Sequence, residues 1–428
     1  MPVKWNRLYG LRGYLRSSLW LVPFMAIPVN LVATRILHAL DAWLGWTLIG
    51  YTVTGAQAVL QAIVTATLSF VVFTFGSLLV AIQVASAQMT PRIIATTLLR
   101  NNVIKYTIGL FTFALLFALS AQDRIEKDVH QLVMFIAALL GVLSFAAFFF
   151  LIDYAARLLR PISILTHVSN NGIAVIESVY PDPSRGPDIP EREGLTLGPA
   201  DRVIQHQGTS GIVCAVHLEF LMAEAERSNG VIEFVPQVGD FVAVDEPLFN
   251  LHGDARSIDA ASLRSSVAFG SERTIEQDPT FAFRIVVDIG IRALSPAIND
   301  PTTAVLAIDQ LHRMLRVVGK RHLRTDRIPD KFGELRIIFR TPNWEDFVHL
   351  AFSEIRSCGS HNLQIARRLR AMIENLTQTL PAHRHPALQQ QLSLLDREIT
   401  RNFTYPEELA LARIADSQGL GGHGKTER

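Results

Sequence analysis

The chain has 428 residues, of which 49% are hydrophobic and only 18% are charged, against about a quarter in typical globular domains. Its formal net charge is +1, so no excess of basic charge indicates a nucleic-acid-binding protein. Cys214 and Cys358 are too few and too far apart for a disulfide framework or a zinc cluster, which favours a reducing compartment.

The N-terminal third is the most apolar part of the chain. No Asp, Glu, Lys or Arg occurs from Ala42 to Pro91, and a bilayer core of about 30 Å needs about 20 apolar residues in a helix. The segments that meet or approach this length are Leu19–Leu37, a stretch within Gln57–Ser86, Val103–Ala121 and Val129–Leu159. The sequence therefore predicts a four-helix transmembrane domain over residues 1–160, in which Pro23 and Pro28 break the first span. A secretory signal is the alternative for that first segment, although no small-x-small cleavage site stands out.

The positions of the basic residues predict the orientation of the spans. They precede the first span, separate the second from the third and follow the fourth: Lys4, Arg7, Arg12, Arg16, Arg92, Arg100, Arg157 and Arg160. The loop after the third span also holds Arg124 and Lys127, but three acidic residues accompany them. We therefore expect both termini in the cytoplasm.

Polar and small residues follow one side of the second predicted helix. At about 100° per residue they share an arc that Val72, Phe75 and Leu79 interrupt. The set is Gln57, Gln61, Thr65, Ser69, Gly76, Gln83 and Ser86. One interpretation is a helix-packing surface, where small residues allow close approach and amides bond across; the other is the lining of a water-filled path. No ionisable residue lies mid-span, which argues against a proton relay.

The segment after the spans is rich in Pro and Gly, which predicts a linker over residues 161–200. Shorter apolar segments then predict a small, mostly-β, barrel-like module over residues 201–255. Its expected elements are strands Arg202–Gln205, Gly211–His217, Val231–Val235 and Phe241–Val244, with a helix at Glu219–Arg227. Part of it resembles a lipoyl-type half-barrel, but no lysine lies between Lys127 and Lys320. We therefore expect a structural module without a cofactor arm.

Residues 256–418 predict a mainly helical domain. Asp278 and Asp300 each precede a proline, the arrangement of a helix N-cap followed by N1. The two helices should reach Leu294 and Val318. The later elements are a strand at Glu334–Arg340 and helices at Trp344–Arg356, Asn362–Leu380, Pro386–Phe403 and Pro406–Ala415. Residues 419–428 are expected to be disordered, and the whole is an α-helical membrane domain followed by an α+β cytoplasmic domain.

A family resemblance rests on these Asp-Pro strings. The segment Arg292–Ala304, which reads RALSPAINDPTTA, together with Glu276–Pro279 and Ser86–Arg100 resembles the bacterial predicted membrane proteins grouped as domain of unknown function 2254. The likeness covers roughly residues 10–415. It implies a multi-pass protein of the bacterial inner membrane, and it brings no assigned reaction.

Polar residues around the two helix starts are the first candidates for a binding site, because free N–H groups and the helix dipole favour anions there. They are Arg273, Glu276, Asp278, Arg292, Ser295, Asn299 and Asp300. They either surround a small anionic ligand or meet a neighbouring subunit. The alternative is that the two aspartates only cap helices and the others are turn and surface groups.

A dense basic run follows. It comprises Arg313, Arg316, Lys320, Arg321, Arg324 and Arg327. It either contacts anionic lipid or is a solvated helix end, and nucleic-acid binding is disfavoured because no stacking aromatics interleave with it.

Motifs of catalysis are missing. The chain has no P-loop, no G-x-S-x-G, no H-E-x-x-H and no dinucleotide fingerprint,. Pairs of possible metal ligands occur at His217 and Glu219, Glu345 and His349, and His383 and His385, but two ligands do not make a site. We expect neither an enzyme nor a bound cofactor or metal.

Two functional hypotheses remain. In the first, copies of the chain assemble around an axis lined by the polar side of the second helix, as a channel or conduit with a cytoplasmic gating or ligand-binding domain. In the second, the spans anchor a cytoplasmic sensor or scaffold that transports nothing.

Overall fold

The computed structural model describes residues 5–44, 50–88, 101–125, 129–158, 160–184, 197–323 and 326–422. The chain divides into two compact units. The helical unit is Tyr14–Ile164, and the mixed unit is Met1–Gly13 with Leu165–Arg428. The two boundaries fall within helices α1 (Trp5–Ser17) and α6 (Pro161–Val179).

Within the described residues, four helices of the helical unit are long and apolar enough to cross a membrane. They are α2 (Leu21–Leu44), α3 (Val53–Gln88), α4 (Asn102–Gln122) and α5 (Gln131–Leu158), which confirms the four predicted spans as helices. α4 packs against α2, α3 and α5. A Cβ at Gly109 of α4 would lie 2.6 Å from Val22 Cγ1, so glycine allows the close approach of α2.

The predicted break in the first span is wrong, because α2 is one helix that continues to Leu44. Pro23 occupies the first turn, where a missing N–H group removes no helical hydrogen bond. Pro28 lies inside the helix and removes one, a loss that packed neighbouring helices tolerate. The extension adds His38 and Asp41 to the helix.

The predicted linker also begins differently. Residues 161–179 form α6, in which Pro161 starts a helix rather than only ending the preceding one. Leu165, Val168 and Ile176 are fully buried in the mixed unit, and burial of such an apolar face is what stabilises a helix of this length. Most of the remaining linker, residues 185–196, lies outside the described residues.

Two open sheets form the β part of the mixed unit. The strands are β1 (Arg202–Gln205), β2 (Gly211–Val216), β3 (Gly230–Phe234), β4 (Phe241–Val242), β5 (Pro247–Gly253), β6 (Val267–Gly270), β7 (Arg327–Pro329) and β8 (Leu335–Phe339). One sheet has the order β1-β5-β3-β8-β7 and the other β4-β2-β6. β3 pairs with β8 in parallel, whereas its other neighbour, β5, is antiparallel. Helix α7 (Leu218–Ser228) contributes Leu221 and Ala225 to their common core.

The strand order corrects the barrel-like module. Among the described strands neither sheet closes on itself. The module is not confined to residues 201–255 either, because β6, β7 and β8 come from later in the chain and complete the two sheets. Phe234, Phe249 and Phe339 pack together in the core, so the later strand β8 is part of the same hydrophobic cluster as β3 and β5.

Helices make up the rest of the mixed unit. After the short α8 (Ala260–Ser265) come α9 (Pro279–Ala293), α10 (Pro301–Val318), α11 (Trp344–Gly359), α12 (Leu363–Thr379), α13 (His385–Asn402) and α14 (Pro406–Ala412). α9 packs against α10 and α11, and α10 against α12. The predicted caps are confirmed: Asp278 accepts from the Phe281 N–H and Asp300 from the Thr303 N–H.

The segment after α14 is bound to the helices, so the predicted disorder from residue 419 is wrong for residues 419–422. The fully buried Arg367 donates to the carbonyl oxygens of Ile414, Gly421 and Gly422. Asp416 in turn accepts from the Gly419 N–H at 3.0 Å. A buried guanidinium and a carboxylate thus fix this segment, and residues 423–428 lie outside the described part.

Candidate functional site

The predicted polar stripe lies on the outside of the helical unit. Six of its members are exposed, on a face of α3 that no other described helix covers. They are Gln57, Gln61, Thr65, Ser69, Gly76 and Gln83. The opposite face of α3 is buried, with Ala56 and Leu60 packed beside Phe117 and Met134. The described members of the stripe thus share an exposed side of α3. Their exposure is a tertiary property that the helical period could not give.

Hydrogen bonds satisfy only part of the stripe. Ser69 Oγ donates to the Thr65 carbonyl at 2.8 Å, within the helix. Gln122 Nε2 of α4 donates to Gln61 Oε1 at 3.4 Å. Within the described ranges the side-chain amides of Gln57 and Gln83 have no such partner. Transfer of an amide to an apolar medium without a hydrogen bond costs about 2–7 kcal/mol. In an apolar medium these two amides would need a hydrogen-bond partner that the described residues do not supply,.

An apolar band interrupts the stripe. Val72, Phe75 and Leu79 are 65%, 42% and 63% exposed on the same helix. They separate the polar positions up to Ser69 from Gln83, as the sequence indicated. The exposed side of α3 is thus polar toward each end and apolar in between.

The end of α2 is joined to the start of α5 by polar groups that the sequence analysis did not single out. Asp41 is only 8% exposed and accepts from the Leu132 N–H at 3.0 Å. His130 Nδ1 lies 3.1 Å from Asp41 Oδ2, and its ring packs edge-on against His38 at 4.6 Å between centroids. The signal was an acidic residue placed just past the predicted end of the first span.

The candidate ligand residues do not form one site. Arg273, Glu276 and Asp278 precede the N-terminus of α9, whereas Arg292 lies in its last turn. A helix of 15 residues separates its ends by about 20 Å. Ser295, Asn299 and Asp300 follow at the far end, between α9 and α10, so the structure splits the predicted set into two groups.

The second of these groups forms a turn and a cap. Ser295 Oγ donates to the Arg292 carbonyl at 2.7 Å. Asn299 has φ +47°, a left-handed conformation that Asn tolerates better than most residues. Asp300 accepts from the N–H and the hydroxyl of Thr303. These contacts favour the capping interpretation.

The first group is buried more deeply. Asp278 is 3% exposed, and its Oδ2 atom has no hydrogen-bond partner among the described residues. Gly239, at φ +97°, leaves room for it, because a Cβ there would lie 2.6 Å from Asp278 Oδ2 and 3.5 Å from Arg273 Cζ. Burial raises the pKa of Asp278, against the lowering effects of the Thr280 hydroxyl and the Arg273 guanidinium.

The N-terminal helix reaches the same region. Trp5 stacks on His217 with ring centroids 4.9 Å apart. Burial raises the pKa of the Tyr9 phenol, and the neighbouring Glu276 carboxylate raises it further. Burial likewise raises the pKa of the Cys214 thiol. No local sequence signal pointed to these contacts, since more than 200 residues separate Trp5 from His217.

The basic run lines a groove. Its members Arg313, Arg316, Lys320 and Arg321 border an open cavity of about 730 Å³ in the mixed unit. Arg327 lies in β7, and Arg324 is outside the described residues. The run is therefore divided between a groove and a strand.

Known proteins resemble the chain over most of its length. The family described as "Predicted membrane protein (DUF2254)" matches residues 16–375. Uncharacterized proteins of Mycobacterium bovis and Mycobacterium tuberculosis are 26% identical to the chain, with 95% of this chain and 81% of each relative covered. No solved structure matches it significantly.

Proposed function

Since the chain belongs to the DUF2254 family of predicted membrane proteins, we propose that it is a homo-oligomeric, channel-like conduit of the bacterial inner membrane. The path runs between copies of the chain, and the polar stripe of α3 lines it. The mixed unit serves as a cytoplasmic gating or ligand-binding domain. It has no catalytic role in this proposal.

The exposure of the polar stripe carries the proposal. The hydrocarbon core of a bilayer offers no hydrogen bonds to side-chain amides, and the amides of Gln57 and Gln83 have none within the described residues. Polar side chains at membrane depth commonly face a bundle interior or a water-filled cavity. An axis shared by several copies would provide both.

The packing of the helical unit supports a path between copies rather than through one chain. Leu60 and Phe117 are fully buried, and Ala137 and Met134 are each 1% exposed. The centre of the described four-helix unit is therefore filled by side chains. A cavity of about 240 Å³ in this unit is lined mostly by apolar groups such as Phe73, Ile104 and Phe148.

The apolar band suggests where such a conduit closes. Hydrophobic constrictions gate channels by excluding water. Val72, Phe75 and Leu79 lie between polar positions on the same exposed face. In an oligomer they would form a ring that separates two wet segments.

The distribution of basic residues supports the proposed orientation. Arg7 and Arg12 precede the first span and Arg157 and Arg160 follow the fourth. The positive-inside rule favours a cytoplasmic position for both of these regions, and the proposed topology has the mixed unit on the same side.

A membrane-anchored sensor or scaffold is the second candidate. Small residues such as Ser69 and Gly76 on the exposed face of α3 would let another helix approach closely. In that case the stripe would join copies without enclosing a path. Assembly alone does not distinguish the two functions, and flux does.

Cross-linking tests the assembly. Thr65→Cys, in a chain with Cys214→Ser and Cys358→Ser, should form disulfide-linked dimers on mild oxidation in membranes. Val142→Cys, on the 67% exposed face of α5, is the matched control and should not. A monomer in mild detergent, or equal cross-linking at the two positions, contradicts the oligomeric axis.

Liposome flux tests the conduit. The purified oligomer should conduct ions or small solutes, and Gln61→Leu combined with Thr65→Val should abolish that conductance. Val142→Leu with Phe145→Leu changes two lipid-exposed side chains and should leave it intact. An oligomer that passes nothing under any condition favours the anchor.

A further inference from the structure

A groove in the mixed unit combines several cations on one wall. Arg313, Arg316 and Lys320 are exposed along α10 and its end, at spacings of three and four residues that place them on one side of a helix. The groove has a volume of about 730 Å³. Its other lining residues are Glu177, Pro183, Asp309, His312, Val317 and Arg321.

The acidic groups of the groove already have partners. Glu177 Oε1 accepts from Arg321 at 2.8 Å, and Asp309 Oδ1 accepts from Arg368 at 2.7 Å. Arg313, Arg316 and Lys320 have no ion-pair partner in the part of the chain that the structure describes. Among the described residues, this wall therefore carries three neighbouring positive charges without an acidic partner.

One lining residue of the groove, His312, is held by part-buried polar contacts. His312 Nε2 lies 2.9 Å from Asn375 Oδ1, and its Nδ1 lies 3.3 Å from the Arg368 guanidinium. Because guanidinium can only donate, Nδ1 accepts and Nε2 carries the proton. Burial lowers the pKa of His312, which disfavours its charged form, so the positive charge of this wall comes from the three exposed cations.

We propose that this groove binds a compact polyanion that carries two or more phosphate groups. Arginine side chains bind phosphate oxygens bidentately, and a lysine adds a point charge. None of the lining residues is a Phe, Tyr or Trp, so a stacked nucleobase has no platform. The phosphates themselves are the recognised groups, and the inference does not depend on the conduit.

Two sources can present this chemistry, a soluble di- or polyphosphate and the headgroup of a diphosphate lipid. The test uses the full chain in phosphatidylcholine nanodiscs, with pyrophosphate as the calorimetric probe, repeated in nanodiscs that contain cardiolipin. Saturable pyrophosphate binding that cardiolipin leaves unchanged identifies a soluble ligand. If cardiolipin instead abolishes pyrophosphate binding, and this competition requires Arg313 and Arg316, the ligand is the lipid headgroup.

Substitutions separate the groove from general charge effects. Arg313→Gln with Arg316→Gln should weaken pyrophosphate binding at least about tenfold, since each substitution removes a charge-assisted contact to phosphate. Lys320→Gln should weaken it independently. The control, Arg340→Gln with Arg401→Gln, removes two exposed arginines elsewhere in the mixed unit and should change the affinity less than about twofold.

Unchanged affinity in the Arg313→Gln, Arg316→Gln chain overturns the proposal, provided that its unfolding temperature matches the unmodified chain. Absence of saturable binding in phosphatidylcholine nanodiscs, with no effect of cardiolipin on the unfolding temperature, also overturns it. Both outcomes are independent of whether liposome flux is observed.

Discussion

The indole of Trp5 lies parallel to the imidazole of His217, with ring planes inclined by 10° and centroids 4.9 Å apart. His217 directly precedes α7, so the stack joins the first described helix to the β part of the mixed unit. Tyr9, one turn further along α1, is stacked with Trp5 and lies near Glu276. The N-terminal helix is thereby held at one face by two aromatic side chains.

We predict that Trp5→Ala releases this helix. Loss of the stack removes about 0.5–1.5 kcal/mol beyond the loss of buried area. Amide hydrogen exchange in residues 5–13 should therefore become markedly faster. His217→Ala should reproduce the effect, whereas Leu8→Ala, at a 46% exposed position of the same helix, should not. Unchanged protection in Trp5→Ala means that other contacts hold α1.

Asp278→Asn should stabilise the protein at neutral and alkaline pH. The folded state raises the pKa of this carboxyl above its ordinary value of 3.8, so the native state binds the proton more tightly than the unfolded chain. The contribution of the Asp278 carboxyl to the free energy of unfolding therefore falls as the pH rises from 3.8 through the pKa of Asp278 in the folded protein,. Asn cannot ionise and is still able to cap the helix.

Thermal unfolding in detergent from pH 4 to pH 8 checks this. The advantage of Asp278→Asn should shrink toward the acidic end, and Asp278→Ala should lose about 1 kcal/mol of cap energy. Asp300→Asn at the half-buried second cap is the control. A variant Asp278→Asn that is less stable than the unmodified chain at pH 8 contradicts the assignment.

Removal of residues 414–428 should lower the free energy of unfolding of the mixed unit by about 3 kcal/mol or more. The reason is that the guanidinium of Arg367 loses the three carbonyl oxygens to which it donates. Arg367→Met in the truncated chain should recover part of that loss. The same substitution in the full chain should destabilise it, because the carbonyl oxygens lose their donor. Equal stability of the truncated chains with and without Arg367→Met would show that the buried charge is not the cause.

Polar substitution in the apolar band should open the proposed conduit. Val72→Thr with Leu79→Thr replaces apolar surface by hydroxyl groups, so water enters the constriction more readily. Basal liposome flux should rise several-fold, whereas Val80→Thr, at a 58% exposed position outside the band, should have little effect. Flux that is unaltered or lower in the double variant argues against a hydrophobic gate.

Much of the fold could be predicted because its signals are local. Length and hydropathy define the spans, and the Asp-Pro pairs define the starts of α9 and α10. The strand at Leu335–Phe339 was also anticipated within a residue at each end. By contrast, the two open sheets depend on which distant strands pair, and pairing between non-neighbouring segments leaves no local pattern.

The candidate site was less predictable for the same reason. The helical period placed Gln57, Gln61 and Thr65 on one side of α3, but whether that side faces the other helices or the exterior depends on α2, α4 and α5 together. The separation of Asp278 from Asp300 follows from the length of α9, which the sequence already indicated. The contact of Trp5 with His217 has no counterpart in any short motif.

The parallel pairing of β3 with β8 sets an order for biosynthesis. The ribosome must complete the whole segment from 235 to 334 before the strand that covers this edge of β3 emerges. At about 5–20 residues per second, β3 waits for several seconds with unpaired backbone groups, at a stage when all four apolar helices have already been made. A ribosome that stalls before Leu335 leaves a nascent chain in which one edge of β3 is unpaired and can pair with another chain. We therefore expect the yield of folded protein to depend on the speed of translation through this segment.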